Sequence, residues 1–201
     1  MKKRIFLVGV GGQGTLTATN LLGRVALESG IPVVAGEIHG MAQRGGVVES
    51  TILLGGYQSP RISRGQADIL VGFEPLETLR ALRYLKPGGL VVSNSEQLPP
   101  PSVARGMAPY PEEQLIRSEV LDRASRSAFI PCMTLGTRAG AVQSGNMVLL
   151  AALCASEELP FGLDALRDGV RKFLKPKLVD MNLRAIELGA EAFAAQTSGE
   201  L

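Results

Sequence analysis

The chain has one histidine, two cysteines and no surplus of either charge. Each scarcity closes off a class of function. Lys and Arg number 21 against 19 Asp and Glu in 201 residues, a formal net charge of +2. There is therefore no basic excess of the kind that holds nucleic acid by releasing counterions. Cys132 and Cys154 cannot supply a four-thiolate iron–sulfur site or a disulfide framework, and both are expected to be buried thiols. The longest apolar stretch, Met147 to Ala155, falls far short of the roughly 20 residues a membrane-spanning helix needs. Met1-Lys-Lys-Arg4 leads into Ile5-Phe-Leu-Val8 and then at once into glycines. That run is too short for the apolar core of a signal peptide and reads as a first strand. A cytoplasmic protein with no membrane contact is expected. Also missing are a Gly-x-Ser-x-Gly elbow, a Walker A sequence, a His-Glu-x-x-His pair and the Gly-Asp-Gly signature that holds diphosphate and magnesium in thiamine-dependent enzymes; Arg167-Asp-Gly169 is not one. A complete active site is not written in this polypeptide.

What is present alternates regularly. Arg4–Val10 has the pattern of a buried strand, and Thr15–Ser29 that of a helix with Leu16, Ala18, Leu22, Val25 and Ala26 toward a core, stopped by Gly30 and Pro32. Val33–Ala35 reads as a short strand and Val47–Leu54 as another, with no helix of normal length between them. Ile69–Phe73 is a central strand, Leu76–Leu85 a helix, Lys86–Gly89 a turn into strand Leu90–Ser93, Pro99–Pro101 a loop, Glu112–Ser125 a helix and Ala128–Pro131 a last strand. Beyond Asn146 only helices are expected: Asn146–Leu159, Leu163–Phe173 and Leu178–Ala195. Strands alternating with helices imply a three-layer α/β/α sandwich around a mostly parallel sheet with a Rossmann-like start. The two adjacent strands at 33–54 mark an antiparallel, mixed region, and the C-terminal part is helical. Residues 1–201 are expected to form one domain.

Two segments concentrate chemistry. Gly9-Val-Gly-Gly-Gln-Gly14 leaves a strand and opens a helix, where Gly9, Gly11, Gly12 and Gly14 let the backbone approach an anion and the helix start favours one. The alternative is a glycine turn serving only close strand–helix packing. A dinucleotide fold would also want an acidic residue at the end of the second strand. Glu37 stands 23 positions after Gly14, in a crowded polar run rather than at a clean strand end. That run, Glu37-Ile-His-Gly-Met-Ala-Gln-Arg-Gly-Gly46, packs a carboxylate, the only histidine, a carboxamide and a guanidinium between glycines. His39 could act as a base, since imidazole titrates near neutrality, or be a hydrogen-bonded structural residue. Arg44, beside Gly45, suits a bidentate grip on phosphate or carboxylate, or an ion pair with Glu37 or Glu49. Arg61 and Arg64 read as solvated loop charges. Three readings follow from these residues: a subunit facing a partner, a self-sufficient NAD(P)-linked oxidoreductase, and a non-catalytic nucleotide-binding module.

The glycine loop followed by Glu37-Ile-His-Gly-Met-Ala-Gln-Arg-Gly-Gly46, Gly72-Phe-Glu-Pro-Leu-Glu77, Tyr84-Leu-Lys-Pro-Gly-Gly89, Leu98-Pro-Pro-Pro101 and Gly145-Asn-Met-Val-Leu-Leu150 resembles the gamma subunit, or gamma domain, of the 2-oxoacid:ferredoxin oxidoreductases. The likeness is strongest to the small subunit of the indolepyruvate branch. It implies oxidative decarboxylation of a 2-oxoacid with coenzyme A to an acyl-CoA and carbon dioxide, with ferredoxin reduced. It implies a larger partner subunit bearing thiamine diphosphate, magnesium and iron–sulfur clusters, with no cofactor on this chain. A homodimer of the isolated chain stays open. Gly9, Gly11, Gly12, Gln13, Gly14, Glu37, His39, Gln43, Arg44 and Gly45 are the expected ligand- or partner-facing residues, and none is expected to be catalytic.

Overall fold

The computed structural model describes residues 1–39, 46–99 and 101–197. Six strands make one sheet: β1 (Lys3–Val10), β2 (Val33–His39), β3 (Val47–Leu54), β4 (Ala67–Gly72), β5 (Leu85–Asn94) and β6 (Ala124–Ile130). Their spatial order is β2-β3-β1-β4-β5-β6. β3 runs antiparallel to both β1 and β2, while β1, β4, β5 and β6 pair in parallel. The sheet is mostly parallel and mixed at the 33–54 edge, as the sequence pattern implies.

The helices are α1 (Thr15–Glu28), α2 (Pro75–Ala81), α3 (Pro101–Ala104), α4 (Glu113–Arg123), α5 (Cys132–Ala139), α6 (Gly145–Ala155), α7 (Leu163–Phe173) and α8 (Pro176–Thr197). Alternate strand residues feed two cores. Ile5, Leu7, Ile69, Val71, Leu90 and Val92 meet α1 and α5–α8 on one face, whereas Phe6, Val8, Leu70 and Val91 meet α2 and α4 on the other. The handedness of strand–helix–strand crossovers explains the split. From β4 the chain steps through β5 to β6 in one direction, and from β1 it steps the opposite way to β2, so α1 and α2 must lie on opposite faces. The crevice between the ends of β1 and β4 is therefore a switch point, the place where open α/β sheets bind ligands. α6 is buried all round, from Met147 to Cys154, because α8 covers its outer side. The crossing is close: a Cβ on Gly189 would stand 2.3 Å from the Val148 carbonyl oxygen.

Several local expectations are corrected. β2 does not stop at Ala35 but runs to His39, so Glu37 belongs to a strand, not to a loop. Within it a glycine is needed at position 36, because a Cβ on Gly36 would lie 2.7 Å from the Pro60 ring. Lys86–Gly89 are part of β5, with a register shift at Gly89/Leu90. Pro101 opens the short α3. In α1, Leu21 is buried and Leu16 only half-buried. α5 was not expected at all.

Candidate functional site

The switch-point crevice is built around the glycine loop. Gly12 and Gly14 have φ of +107° and +81°, the left-handed region that favours glycine. A Cβ on Gly14 would also lie 2.6 Å from Asn146 Nδ2, so the start of α6 presses on the start of α1. Gln13 folds back into its own loop. Its Oε1 accepts from Val10 N at 2.8 Å and its Nε2 donates to the Phe73 carbonyl at 2.8 Å. Gly11 N donates to the Gly46 carbonyl at 2.8 Å, which ties the loop to the far end of the polar run. With Val10, Gly11 and Gln13 amides bonded inside the protein, few loop donors remain for a pyrophosphate.

Glu37 is in the wrong place for a dinucleotide ribose. β3 lies between β1 and β2, so Glu37 sits two strand spacings, about 10 Å, from β1. Glu37 is exposed, opposite Ser50 of β3, and His39 is paired in register with Val48. Gly9, Gly11, Gly12, Gln13 and Gly14 are thus gathered at the crevice, and Glu37 is on the sheet's outer strand. Gln43, Arg44 and Gly45 lie outside the described residues. Arg61 and Arg64 are exposed, and Cys132 and Cys154 are free buried thiols, as expected.

The structure adds residues that the motifs did not single out. Asn94 ends β5 and is 2% exposed. Its Nδ2 donates to the carbonyls of Phe73 (3.1 Å) and Glu96 (2.9 Å), and its Oδ1 accepts from Glu96 N and Cys132 N, each at 3.1 Å. Phe73 O thus receives both Gln13 and Asn94, which stitches the ends of β1, β4 and β5 together. Glu96 closes the start of α5: its carboxylate accepts from Met133 N, from Thr134 N and from Thr134 Oγ1. A polar residue directly after a parallel strand is where such sheets present working groups, and that signal marks Asn94 and Glu96. Behind them Glu74, fully buried, caps α2 by accepting from Glu77 N at 3.0 Å and receives the Tyr110 hydroxyl at 2.5 Å. Burial pushes the Tyr110 hydroxyl well above its usual range, helped by Glu74. Burial raises Glu77 as well, against the pull of Arg80 at 2.7 Å. Gly72 precedes this turn because a Cβ there would overlap Thr78 Oγ1.

A cavity of about 540 Å³ opens beside the loop, lined by Gly12, Gln13, Asn94, Ser144, Asn146 and a set of apolar side chains that includes Met133, Met147 and Met181. Burial pushes the Cys132 thiol on its wall well above its ordinary value, so that group is neutral. Among the described residues no three His, Cys, Asp or Glu side chains stand together to hold a metal ion, and no helix is long and apolar enough to cross a membrane.

Comparison with known proteins agrees with this architecture. The sequence model of a family described as pyruvate ferredoxin/flavodoxin oxidoreductase matches residues 4–192. The indolepyruvate oxidoreductase subunit IorB of Archaeoglobus fulgidus is 38% identical over 189 residues, 94% of each chain. The IorB of Pyrococcus horikoshii is 39% identical over 191 residues, again 94% of each. The crystal structure of the gamma subunit of a keto/oxoacid ferredoxin oxidoreductase from Geobacter sulfurreducens superposes with a TM-score of 0.69 at 20% identity, covering 96% of this chain and 99% of that one, and so shares its fold.

Proposed function

The chain belongs to the pyruvate ferredoxin/flavodoxin oxidoreductase family, and from that premise we propose that it is the cofactor-free subunit of an indolepyruvate or related aryl-pyruvate:ferredoxin oxidoreductase. The assembled enzyme cleaves carbon dioxide from the 2-oxoacid, transfers the acyl group to the coenzyme A thiol and passes the electrons released to ferredoxin. Thiamine diphosphate, magnesium and iron–sulfur clusters reside on a larger partner subunit. The observation that carries this reading is the 38–39% identity to IorB chains along 94% of their length and of this one.

The side chains present support that division of labour. A diphosphate–magnesium site needs carboxylates that are free to ligate. The two at the crevice, Glu74 and Glu96, already cap α2 and α5. This chain's part is to dock and to wall the reaction off. The glycine loop (Gly9, Gly11, Gly12, Gln13, Gly14) and the run holding Glu37, His39, Gln43, Arg44 and Gly45 form the face turned to the partner. To Arg44 falls the recognition of the coenzyme A phosphates, since a guanidinium can bond two oxygens at once. The complex works in the cytoplasm.

Co-expression with the larger subunit tests this. The tagged chain is expected to retain an iron–sulfur protein, and the pair to reduce ferredoxin with indolepyruvate and coenzyme A, while the chain alone is inert. Turnover by the isolated chain, or no retention of a partner, overturns the proposal. In the assembled enzyme Arg44→Ala is expected to raise the coenzyme A KM; an unchanged KM with unchanged assembly removes Arg44 from its role.

A further inference from the structure

We propose that β2 is the pairing edge of a two-fold dimer of this chain, in which two copies join their sheets antiparallel across Ala35 and pack the outer flanks of their α1 helices together. The sheet has two edge strands, and they are finished differently. At β6 the chain closes its own edge. Gln196, near the end of α8, accepts from Phe129 N at 2.8 Å through Oε1 and donates to Phe129 O through Nε2. One carboxamide thus stands where the peptide of a next strand would be. β2 has no such cover among the described residues. Gly11 N donates to Gly46 O and Gly55 N to Pro32 O. With the registers on either side of β3, these two bonds fix the alternation of the ladder. Val34 and Gly36 turn their N–H and C=O groups to β3, and Val33 and Ala35 turn theirs outward. The outward groups of Val33 and Ala35 have no partner among the described residues. Proteins usually blunt such an edge with lysine, proline or a bulge. β2 has none of these, and its register against β3 runs unbroken from Val33 to His39.

α1 supplies a second, independent observation. Its Leu21 and Val25 meet Gly169 of α7, and α6 packs over β5 and β6, so the opposite flank of α1 is turned to the β2 side. That flank is the stripe Leu16, Asn20, Gly23 and Leu27, at the i, i+4, i+7, i+11 spacing of one helix face. Leu27 is 60% exposed and Leu16 only half-buried. A Cβ on Gly23 would meet nothing within 4 Å. The edge therefore has room for a neighbour that brings both a strand and a helix.

A second copy brings both at once. A two-fold contact must be self-complementary. Turning α1 over about the point between Leu21 and Leu22 sets Leu16 against Leu27 and Asn20 against Gly23. α1 and β2 run antiparallel and are joined by a short turn. With rises of about 1.5 Å per residue in the helix and about 3.3 Å in the strand, that point lies about level with Ala35 and Gly36. One axis therefore serves strand and helix. With Ala35 opposite its own copy, Glu37 faces Val33 of the other chain and not the second Glu37. β2 carries no other Asp, Glu, Lys or Arg, so no like charges are opposed.

Light scattering on the full chain alone tests the dimer. It is expected to give the mass of two 21.2 kDa chains, falling to one on dilution. Ala35→Pro removes an outward N–H that β3 does not use, a place where an edge strand tolerates proline. It is expected to leave a monomer with an unchanged circular dichroism spectrum. Leu27→Lys, at an exposed position, is expected to weaken the dimer by about tenfold or more, and keeps the test open should Ala35→Pro not fold. Mild oxidation reads the register. Ala35→Cys is expected to link two chains, since directly opposed residues of an antiparallel pair stand within disulfide reach; Glu37→Cys, opposite Val33, is not. A monomer at every concentration, a dimer indifferent to both Ala35→Pro and Leu27→Lys, or linkage through Glu37→Cys but not Ala35→Cys overturns the proposal. So does an Ala35 amide that exchanges freely in the chain alone and is protected only with the larger subunit, which would give this edge to a strand of that subunit. Because mass is read on the chain alone, failure to assemble with a larger subunit would remove the proposed function and leave the dimer standing.

Discussion

Asn94 directs both donors and both acceptor directions of its carboxamide inward, to Phe73, Glu96 and Cys132. Replacement by Leu keeps the volume and takes the partner from the Glu96 carbonyl and from the Glu96 and Cys132 amides, while the Phe73 carbonyl keeps Gln13. Each buried group left unpaired costs about 1–3 kcal/mol, so Asn94→Leu is expected to lower unfolding stability by about 3 kcal/mol or more, read from the urea midpoint at unchanged slope. An unaltered midpoint would mean that water replaces the amide. At this scale legibility was uneven. Gly14 could be recognised as a required glycine from its place between strand and helix. The second reason for it, contact with Asn146, spans most of the chain and leaves no local trace. Asn94 was equally hidden, because an Asn after a strand is also an ordinary turn residue.

The joints between elements are held in part by charge. Lys3, opening β1, donates to Glu158 beyond α6 at 2.5 Å, and Arg126 of β6 stands 3.7 Å from the same carboxylate. The hydrogen bond from Lys3 holds the Glu158 carboxyl below its ordinary 4.5, against a smaller opposing effect of burial. A carboxyl depressed in the folded state contributes stability that is complete above its unfolded value and is lost as pH falls through the folded one. Lys3→Met is therefore expected to lose less stability than the wild type between about pH 6 and about pH 3, measured by urea unfolding at each pH. A parallel loss in both proteins would detach Glu158 from acid stability. Elements with strong periodicity were legible: α7 has the bounds that the sequence implies, Leu163–Phe173. β2 was read four residues short because glycine and a polar side chain argue against a strand, and pairing with β3 overrides that preference. α5 was missed because Gly136 and two threonines give its eight residues weak intrinsic helicity.

For the molecule as a whole, the insertion of β3 between β1 and β2 decides what the crevice can take. It separates Glu37 from the glycine loop by about 10 Å, while the amides of Val10, Gly11 and Gln13 in that loop are taken by Gln13 Oε1, Gly46 O and Val10 O. Saturating NAD or NADP is accordingly expected to leave the melting temperature unchanged within error; a rise of several degrees would restore the dinucleotide reading. The sequence could announce an antiparallel neighbour, since no helix fits between residues 35 and 47. It could not say on which side of the second strand that neighbour lies, because a reversed strand can be added to either edge. Glu96 has a consequence for the order of events in folding. α5 is too short to persist alone in water, and its capping carboxylate arrives from a residue 38 positions before Thr134. That helix therefore has no stable existence until β5 and β6 are registered. In a refolding time course, protection of the Met133 and Thr134 amides would serve as a clock for completion of the parallel half of the sheet.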